Sequence, residues 1–197
     1  MNVSDVFNVL NEKDNIIGDI KDIGVSAAAV FPVADITFDP VFRQMCKDNV
    51  CGSYGKNYMC PPSIGEFDDL KNEVLSYKNA ILIQTIYPLE DSYDFEGMQD
   101  GGKAHSENIN KTLNYIKDEM ICDNSANSAN IKVLGAGGCK LCPKCGIIDN
   151  TPCRFPDKAI SSVEGYCMNV AKMTESHGLK YINGENTVSY VAIFLLK

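Results

Sequence analysis

Four cysteines in the last third of the chain constrain its structure more than any other feature. Cys139, Cys142 and Cys145 stand three residues apart, and Cys153 follows eight residues after the last of them. A short turning loop can direct thiols at this spacing towards the corners of one cube, and bacterial ferredoxins begin their cluster motif with the same run of three. The pattern therefore predicts one [4Fe-4S] site on these four thiols.

Zinc is the main alternative at this site, because four cysteines also form common structural zinc sites. Such sites usually present two separated Cys-x2-Cys pairs, whereas here three cysteines follow one another and a single one comes later. Pro143 and Gly146 are expected to keep the loop tight. The spacing favours a cubane, and zinc or free redox-active thiols are the other interpretations.

A second group of cysteines lies earlier in the chain. Cys46, Cys51 and Cys60 fall within 15 residues, and a loop could bring them together at a second metal centre. No fourth ligand is evident; the candidates are Cys122, Cys167, a water molecule or a substrate. A cubane held by three cysteines would leave one iron open to a small molecule. Alternatively, these thiols support the first cluster or serve as structural or redox thiols.

Other candidate site residues have simpler structural explanations. Cys167 falls on the apolar stripe of a predicted helix, which favours a buried core thiol, and Cys122 is interpreted as a spectator beside a polar linker. His105 and His177 belong to no catalytic motif and are expected at the surface or at helix caps. Glu164 either bonds within the site or lies in the first turn of a helix. Residues that could bind a ligand or anchor a loop between Cys51 and Cys60 are Tyr54, Lys56, Asn57 and Tyr58.

Composition favours an intracellular metal-binding protein over a secreted, disulfide-bonded one. The 197 residues include nine cysteines, yet the N-terminus lacks the basic and apolar regions of a signal peptide. No apolar run approaches the ~20 residues of a membrane span. The net charge of −8 argues against nucleic acid as the main partner. We expect a soluble cytoplasmic protein that binds neither nucleic acid nor membranes.

The charge is distributed unevenly along the chain. Residues 43–60 carry three basic side chains and one acidic one, and residues 139–158 carry four and two. The rest of the chain carries 11 basic and 23 acidic residues. A cubane with four thiolates is an anion, so positive charge nearby would stabilise it and raise its reduction potential. Both cysteine-rich segments thus have the charge that such a cluster needs.

Hydrophobic patterning predicts a single α/β domain over residues 1–197, in which helices pack on a layered mixed sheet. The predicted strands are residues 25–34, 80–87, 131–135, 179–182 and 187–196, and the predicted helices are residues 66–77, 104–121 and 162–176. Ser63 would cap the first helix, and residues 39–62 and 90–102 would be irregular. The sheet would be at least partly parallel.

This arrangement leaves two cysteine-rich metal loops, at residues 43–62 and 135–156. The second loop would follow the strand at 131–135 directly, at the carboxyl end where α/β sheets usually place their sites. The run at 80–87 is apolar almost throughout, which predicts a central strand, and Pro32 limits the strand at 25–34 to a sheet edge or an early end.

Four stretches of the chain together resemble a known family. They are Cys51-Gly-Ser-Tyr-Gly-Lys-Asn-Tyr-Met-Cys-Pro-Pro62, Gly135-Ala-Gly-Gly-Cys-Lys-Leu-Cys-Pro-Lys-Cys145, Pro152-Cys-Arg-Phe-Pro156 and Ser162-Val-Glu164. The combination is similar to an uncharacterised family of predicted metal-binding proteins from anaerobic bacteria and methanogenic archaea, from about Arg43 to the C-terminal strand. The resemblance implies seven ligand-type cysteines: Cys46, Cys51, Cys60, Cys139, Cys142, Cys145 and Cys153.

The resemblance supplies no reaction, so three functions stay open. The main hypothesis is an iron–sulfur protein of anaerobic metabolism, with one or two [4Fe-4S] clusters, that passes single electrons to a redox partner protein. Because some relatives occur beside corrinoid or methyl-transfer proteins, the resemblance implies a partner of that kind. The second hypothesis is an enzyme that acts on a small molecule at an open iron on Cys46, Cys51 and Cys60. The third is a zinc-stabilised binding module without redox function.

Overall fold

The two longest apolar runs of the sequence form the two longest strands of the fold. In a computed structural model that describes residues 12–120 and 130–197, β2 (Asn79–Pro88) and β5 (Thr187–Leu196) pair antiparallel along their whole length. The other strands are β1 (Ala27–Pro32), β3 (Ile131–Gly135) and β4 (Ser161–Ser162). The helices are α1 (Lys13–Asp22), α2 (Val41–Lys47), α3 (Phe67–Leu75), α4 (Phe95–Tyr115) and α5 (Val170–Ser176).

The five strands form one mixed sheet in the order β1-β2-β5-β3-β4. Neighbouring strands run antiparallel except for β3 and β4, which pair in parallel through two residues each. The predicted layered α/β fold with a mixed sheet is therefore confirmed, and its parallel part is confined to this short edge. As expected, β2 lies inside the sheet and β1 is an edge strand that ends at Pro32.

Side chains that alternate along the central strands bury both faces of the sheet. Ala80 and Leu82 of β2 join one apolar core, whereas Ile81 and Ile83 join the other. The first core also takes residues from α3 and α5, and the second takes residues from α1 and α4. Burial of one such Leu or Ile side chain stabilises a fold by roughly 1.5–3 kcal/mol. The two helical layers thus hold the sheet, and with it the loop that follows β3.

Helix α4 begins earlier than the sequence predicts. Residues 90–102 are acidic and contain glycines, which suggested a loop, but Asp94 caps the helix by accepting a hydrogen bond from the Gly97 backbone N–H at 2.8 Å. A Cβ at Gly101 would lie 2.9 Å from Cβ of Tyr87. Glycine in this helix therefore allows it to approach β2 closely. Downstream, α4 continues into a π-helical turn, Ile116–Met120.

The predicted helix over residues 162–176 is wrong in its first half. Ser161 and Ser162 pair with β3, residues 163–167 form turns, and α5 begins only at Val170. Asn169 caps α5 by accepting a hydrogen bond from the Lys172 backbone N–H at 3.1 Å. The apolar stripe that suggested a helix arises because these turns cross the buried face of the sheet.

Three smaller predictions also fail. Residues 39–62 are not wholly irregular, because they contain α2, which carries Cys46. Helix α3 follows Glu66 without a side-chain cap, so Ser63 does not cap it. Residues 179–182 form no strand. Cys122 and the end of the predicted helix 104–121 lie outside the described residues. No helix within residues 12–120 and 130–197 combines the length and the apolar character needed to cross a membrane.

The two histidines differ in their placement. His177 follows α5 as its C-terminal cap, as expected, and stacks on Phe31. His105 is buried instead of exposed, between α4 and β2, where its Nδ1 lies 2.9 Å from Oγ1 of Thr85. Asn108 donates to the same hydroxyl at 3.0 Å. These buried polar groups join α4 to the centre of the sheet.

The burial of His105 predicts acid sensitivity of the fold. Burial lowers the pKa of His105 from 6.5 to about 4. His105 therefore binds a proton below pH 6.5 in the unfolded chain but only below about pH 4 in the folded chain. Because the unfolded state gains this proton first, the free energy of unfolding decreases as the pH falls from 6.5 to 4. Between pH 7 and pH 5 the loss is about 2 kcal/mol.

Urea unfolding of the wild type and of His105→Gln at both pH values checks this. The two proteins are compared in the same metal state, so that acid effects on the cysteines cancel in the difference. We expect the free energy of unfolding of the wild type to fall by about 2 kcal/mol more than that of the variant. An equal decrease in the free energy of unfolding of the two proteins would contradict the role of His105 in the acid sensitivity.

Candidate metal centre

Strand β3 delivers the later cysteine-rich segment directly to the earlier one. Cys139 follows β3 after three residues, Ala136, Gly137 and Gly138. A Cβ added at Gly138 would lie 3.4 Å from Sγ of Cys60. The backbone that leads into the later cysteines therefore packs against a thiol of the earlier group, although the two are about 80 residues apart in the chain.

A tight turn returns the fourth cysteine to the first three. After Cys145 the chain forms a single 3-10 turn, Gly146–Asp149, and Asn150 reverses it in the left-handed conformation, at φ 53°. The Thr151 backbone N–H then donates to the Gly146 carbonyl at 2.9 Å. A Cβ at Gly146 would lie 2.6 Å from the Thr151 carbonyl oxygen, so only glycine permits this return. The eight-residue spacing from Cys145 to Cys153 is the length of chain that the 3-10 turn and the reversal at Asn150 require.

The four later cysteines line one open cavity of about 470 Å³, and each is partly buried. One water molecule takes up about 30 Å³ of the liquid, so the cavity exceeds the space that a single ion needs. Four basic side chains also line it: Lys56, Lys140, Lys144 and Arg154. The cavity thus combines thiol donors with positive charge, which suits an anionic cluster of several metal ions.

The earlier cysteines gather around the end of α2. Cys46 lies in its last turn, and the chain then reverses at Asn49, whose side chain accepts a hydrogen bond from the Tyr54 backbone N–H at 3.0 Å. Cys51 is exposed and Cys60 is buried. Burial, together with the smaller effects of the charges of Cys51 and Cys46, raises the pKa of Cys60 to about 11. The three thiols therefore lie close enough to influence one another.

Cys60 also connects the two groups of thiols. The charges of Cys139 and Cys145 add to the rise in the pKa of Cys60. Burial raises the pKa of Cys139 as well, and its neighbours Cys153, Cys142 and Cys145 add to this rise. Within the described part of the chain, no three Cys, His, Asp or Glu side chains are arranged around a single metal ion. This arrangement is compatible with a cubane, because each cysteine of a cubane binds a different iron and the thiols do not surround one ion.

Side-chain hydrogen bonds join the two cysteine-rich segments. Asn57 donates from Nδ2 to the Cys139 carbonyl at 2.8 Å, and Tyr58 donates its hydroxyl to the Thr151 carbonyl at 2.9 Å. Lys56, as noted, lines the cavity. The polar residues between Cys51 and Cys60 therefore bind the opposite segment, a contact between segments that the sequence did not suggest.

Two charged side chains flank the earlier cysteines: Arg43, which is buried, and Glu164, which is partly buried. Arg43 is 9% exposed, and its Nε and Nη2 have no hydrogen-bond partner. Burial raises the pKa of Glu164, although the Ser162 hydroxyl and the Gly137 backbone N–H bond to its carboxyl group. The Oε2 atom of Glu164 also lacks a partner. Sequence analysis missed the burial of Arg43, because it did not predict the helix α2 that carries this residue.

The fold and these thiols define a cysteine-rich α/β protein with a candidate metal centre between a sheet edge and a short helix. The chain belongs to the family of predicted metal-binding proteins DUF2284, whose profile matches residues 29–196. The family membership expected from the motifs is therefore confirmed.

Two solved structures of other proteins are similar to this chain at low identity. Epoxyqueuosine reductase from Bacillus subtilis is similar over 95% of this chain, with 13% identity and a TM-score of 0.40. Epoxyqueuosine reductase in complex with an epoxyqueuosine-modified tRNA-Tyr stem loop is similar over 94% of this chain, with 12% identity and a TM-score of 0.43. The chain spans 46% of each of those chains. No curated protein matches the sequence.

The close contact at Gly146 yields a test of the later site. Replacement of Gly146 by Ala would push a methyl group into backbone oxygen atoms of Thr151 and Pro152, which cannot rotate away. We expect Gly146→Ala to lose about half of the bound metal, because Cys153 would no longer reach the other three thiols. Metal analysis of the protein isolated without oxygen measures this.

Gly18→Ala is the matched control, because nothing lies within 4 Å of a Cβ at Gly18. It should bind as much metal as the wild type, and its helix α1 should gain slightly in stability. Full metal content in Gly146→Ala would show that Cys153 does not depend on this turn.

Proposed function

We propose that this protein holds iron–sulfur clusters on its two cysteine-rich segments and passes single electrons to a partner protein. The observation that carries the proposal is the shared cavity of Cys139, Cys142, Cys145 and Cys153, with basic side chains around it. Four thiols around a space larger than one ion suit a [4Fe-4S] cluster, and the spacing of the first three is that of ferredoxins.

The residues around the cavity have distinct roles in this proposal. The four thiols would hold the cluster as thiolates, and a bound cluster of this type accepts and releases one electron at a time. Lys56, Lys140 and Arg154 offset the negative charge, which favours the reduced state. Gly146 brings the fourth thiol into place. The chain thus supplies ligands, charge and partial shielding from water.

A second cluster would lie on Cys46, Cys51 and Cys60. Cys60 is buried beside the later group, and the charges of thiols from both groups affect its pKa. Two clusters this close could exchange electrons with each other directly. The buried guanidinium of Arg43 supports an anion at this position, because its unpaired N–H groups need an acceptor.

The rim of the cavity suits an acidic redox protein as the partner. Leu141, Ile148 and Phe155 are 46%, 49% and 42% exposed, among the basic side chains that line the cavity. This positive, partly apolar surface contrasts with the net charge of −8 of the whole chain. An acidic partner would be steered to this rim and would bring its own redox group close to the cluster.

Metal content after isolation without oxygen tests the clusters. Two cubanes require about eight irons and eight sulfides per chain. We expect Cys142→Ser and Cys51→Ser each to lose about half of the iron, and the double variant to lose nearly all of it. Stoichiometric zinc, from cells supplied with iron, would instead support the zinc-stabilised binding module. Iron content that neither substitution changes would contradict the proposal.

The open-site enzyme remains the alternative, and one observation favours it. Glu164 and Arg43 each present an unpaired buried polar atom near Cys46, as a substrate pocket would. Cyanide or carbon monoxide added to the reduced protein should change the electron paramagnetic resonance (EPR) spectrum if an iron of the Cys46 centre is open. An unchanged spectrum favours electron transfer.

Charge reversal at the rim tests the proposed docking surface. Lys56→Glu combined with Lys140→Glu should slow electron exchange with an acidic flavodoxin on the order of ten-fold at low salt, and the effect should shrink as salt is added. The rate with a small uncharged dye reports any change in the driving force, so only slowing with flavodoxin beyond the slowing with the dye is assigned to docking. Stopped-flow spectroscopy measures both rates, and iron analysis confirms that the clusters are intact.

The matched control is Lys13→Glu combined with Lys21→Glu, which reverses the charge of two exposed residues of α1. This variant changes the net charge equally but leaves the rim intact. If it slows the flavodoxin as much as the rim variant does, net charge and not a docking surface controls the rate, and the proposed surface is wrong.

A further inference from the structure

Helix α2 presents a buried cation and a thiol on one side. Arg43 and Cys46 are three residues apart, so their side chains lie on the same face of the helix. Arg43 is nine-tenths buried, and its Nε and Nη2 donate to no atom of the described residues. Burial of unsatisfied charged donors is costly, so this side of α2 is built to face an acceptor.

Cys167 occupies the same side of α2 from a distant part of the chain. It is completely buried and adopts a φ of 58°, a conformation that non-glycine residues rarely take. Its carbonyl accepts a hydrogen bond from the Asp39 backbone N–H at 2.8 Å, just before α2. Next to it, Phe38 and Met168 form an isolated β-bridge. The turn that carries Cys167 is therefore fastened to the start of α2.

The thiol of Cys167 lies among these groups. Burial raises its pKa, and the positive charge of the neighbouring Arg43 side chain opposes this rise. After burial and Arg43, the charge of Cys167 has the largest effect on the pKa of Cys46, ahead of Cys51. Cys167, Cys46 and the guanidinium of Arg43 thus lie close enough to influence one another's charge.

We propose that Cys167 is the fourth thiol ligand of the centre on Cys46, Cys51 and Cys60, and that Arg43 donates hydrogen bonds to the sulfur atoms of that centre. This inference rests on the proposed function, since it requires a cluster at the earlier cysteines. Cys167 would then occupy the iron coordination position that an enzyme acting at an open iron would need for its substrate. Cys167 releases its proton to solvent when it binds, as the other cysteine ligands do.

A simple core thiol accounts for less of the structure. A buried Cys among apolar side chains would be unremarkable in energy, but it would leave the two donors of Arg43 without an acceptor. As a ligand, Cys167 completes a four-cysteine set whose sulfur atoms accept from Arg43. Because Arg43 carries positive charge, it would also make the reduced, more negative cluster easier to form.

Cys167→Gly tests the ligand. Glycine tolerates a φ of 58°, so the turn should keep its conformation while the thiol is removed. We expect this variant, isolated without oxygen, to retain the cluster on the later cysteines and to fall from about eight irons to about seven, with the EPR signal of a three-iron cluster. Added ethanethiol and ferrous iron should restore the wild-type spectrum.

Cys122→Ala is the matched control, because Cys122 is the other cysteine outside the seven of the two groups. It should keep the iron content and spectrum of the wild type. If Cys167→Gly matches the wild type in iron, in EPR and in its response to ethanethiol, or if Cys122→Ala shows the loss instead, the proposal is overturned. Wild-type protein without iron would overturn the proposed function itself, which is a separate outcome.

Arg43 would act through the cluster, so its role is tested by the reduction potential of the earlier centre. Arg43→Gln should shift the reduction potential of the earlier centre to more negative values, and Arg43→Lys should restore part of the shift, while the later centre keeps its potential. Redox titration followed by EPR resolves the two centres. Should both centres in Arg43→Gln titrate as in the wild type, Arg43 does not donate to the cluster.

Discussion

The contact between the two cysteine-rich segments is the constraint on which the candidate metal centre depends. The side chain of Asn57 donates to the Cys139 carbonyl, and Gly138 packs against the sulfur of Cys60. Helix α2 carries only Cys46 of the earlier thiols, and the later segment contains only one 3-10 turn, so neither segment could hold its thiols alone. The buried sheet fixes the end of β3, and the contact with Asn57 fixes the earlier loop against it. Cys60 of the earlier segment consequently lies beside the later segment.

Electrostatics explains why this region needs a positively charged occupant. Burial and neighbouring thiols raise the pKa values of Cys60 and Cys139, so without metal these groups hold their protons. Metal ions that bind the thiols would displace those protons, and the attraction between metal and thiolate would offset the repulsion among neighbouring thiolates. In the proposed cluster-bound protein, the basic rim and the buried Arg43 would face a cluster of net negative charge. Of the charged groups around the site, Lys144 already pairs with Asp149 and Arg154 with the Lys144 carbonyl, whereas the free donors of Arg43 would gain acceptors on binding of the cluster.

The sequence predicted those features that depend on local spacing and failed where tertiary contacts decide. The strand at 80–87 and the loop after residues 131–135 follow from apolar runs and the cysteine pattern. Helix α2 escaped prediction because it is two turns long and has no side-chain cap. The stripe that includes Cys167 suggested a helix, yet these residues are apolar because they cover the sheet in a series of turns. The burial of Arg43 depends on α2 and on the turns around Cys167. Neither was predicted, so this burial could not be read from the sequence.

The central claim is that two iron–sulfur clusters lie side by side on the two joined segments. The EPR spectrum of the fully reduced wild-type protein tests it most directly, because paramagnetic clusters at close range split and broaden each other's signals. The account predicts a spectrum of two interacting [4Fe-4S] clusters that simplifies to one isolated cluster when Cys51 is replaced by Ser. A spectrum without an iron–sulfur signal, or one of two independent clusters, would contradict it.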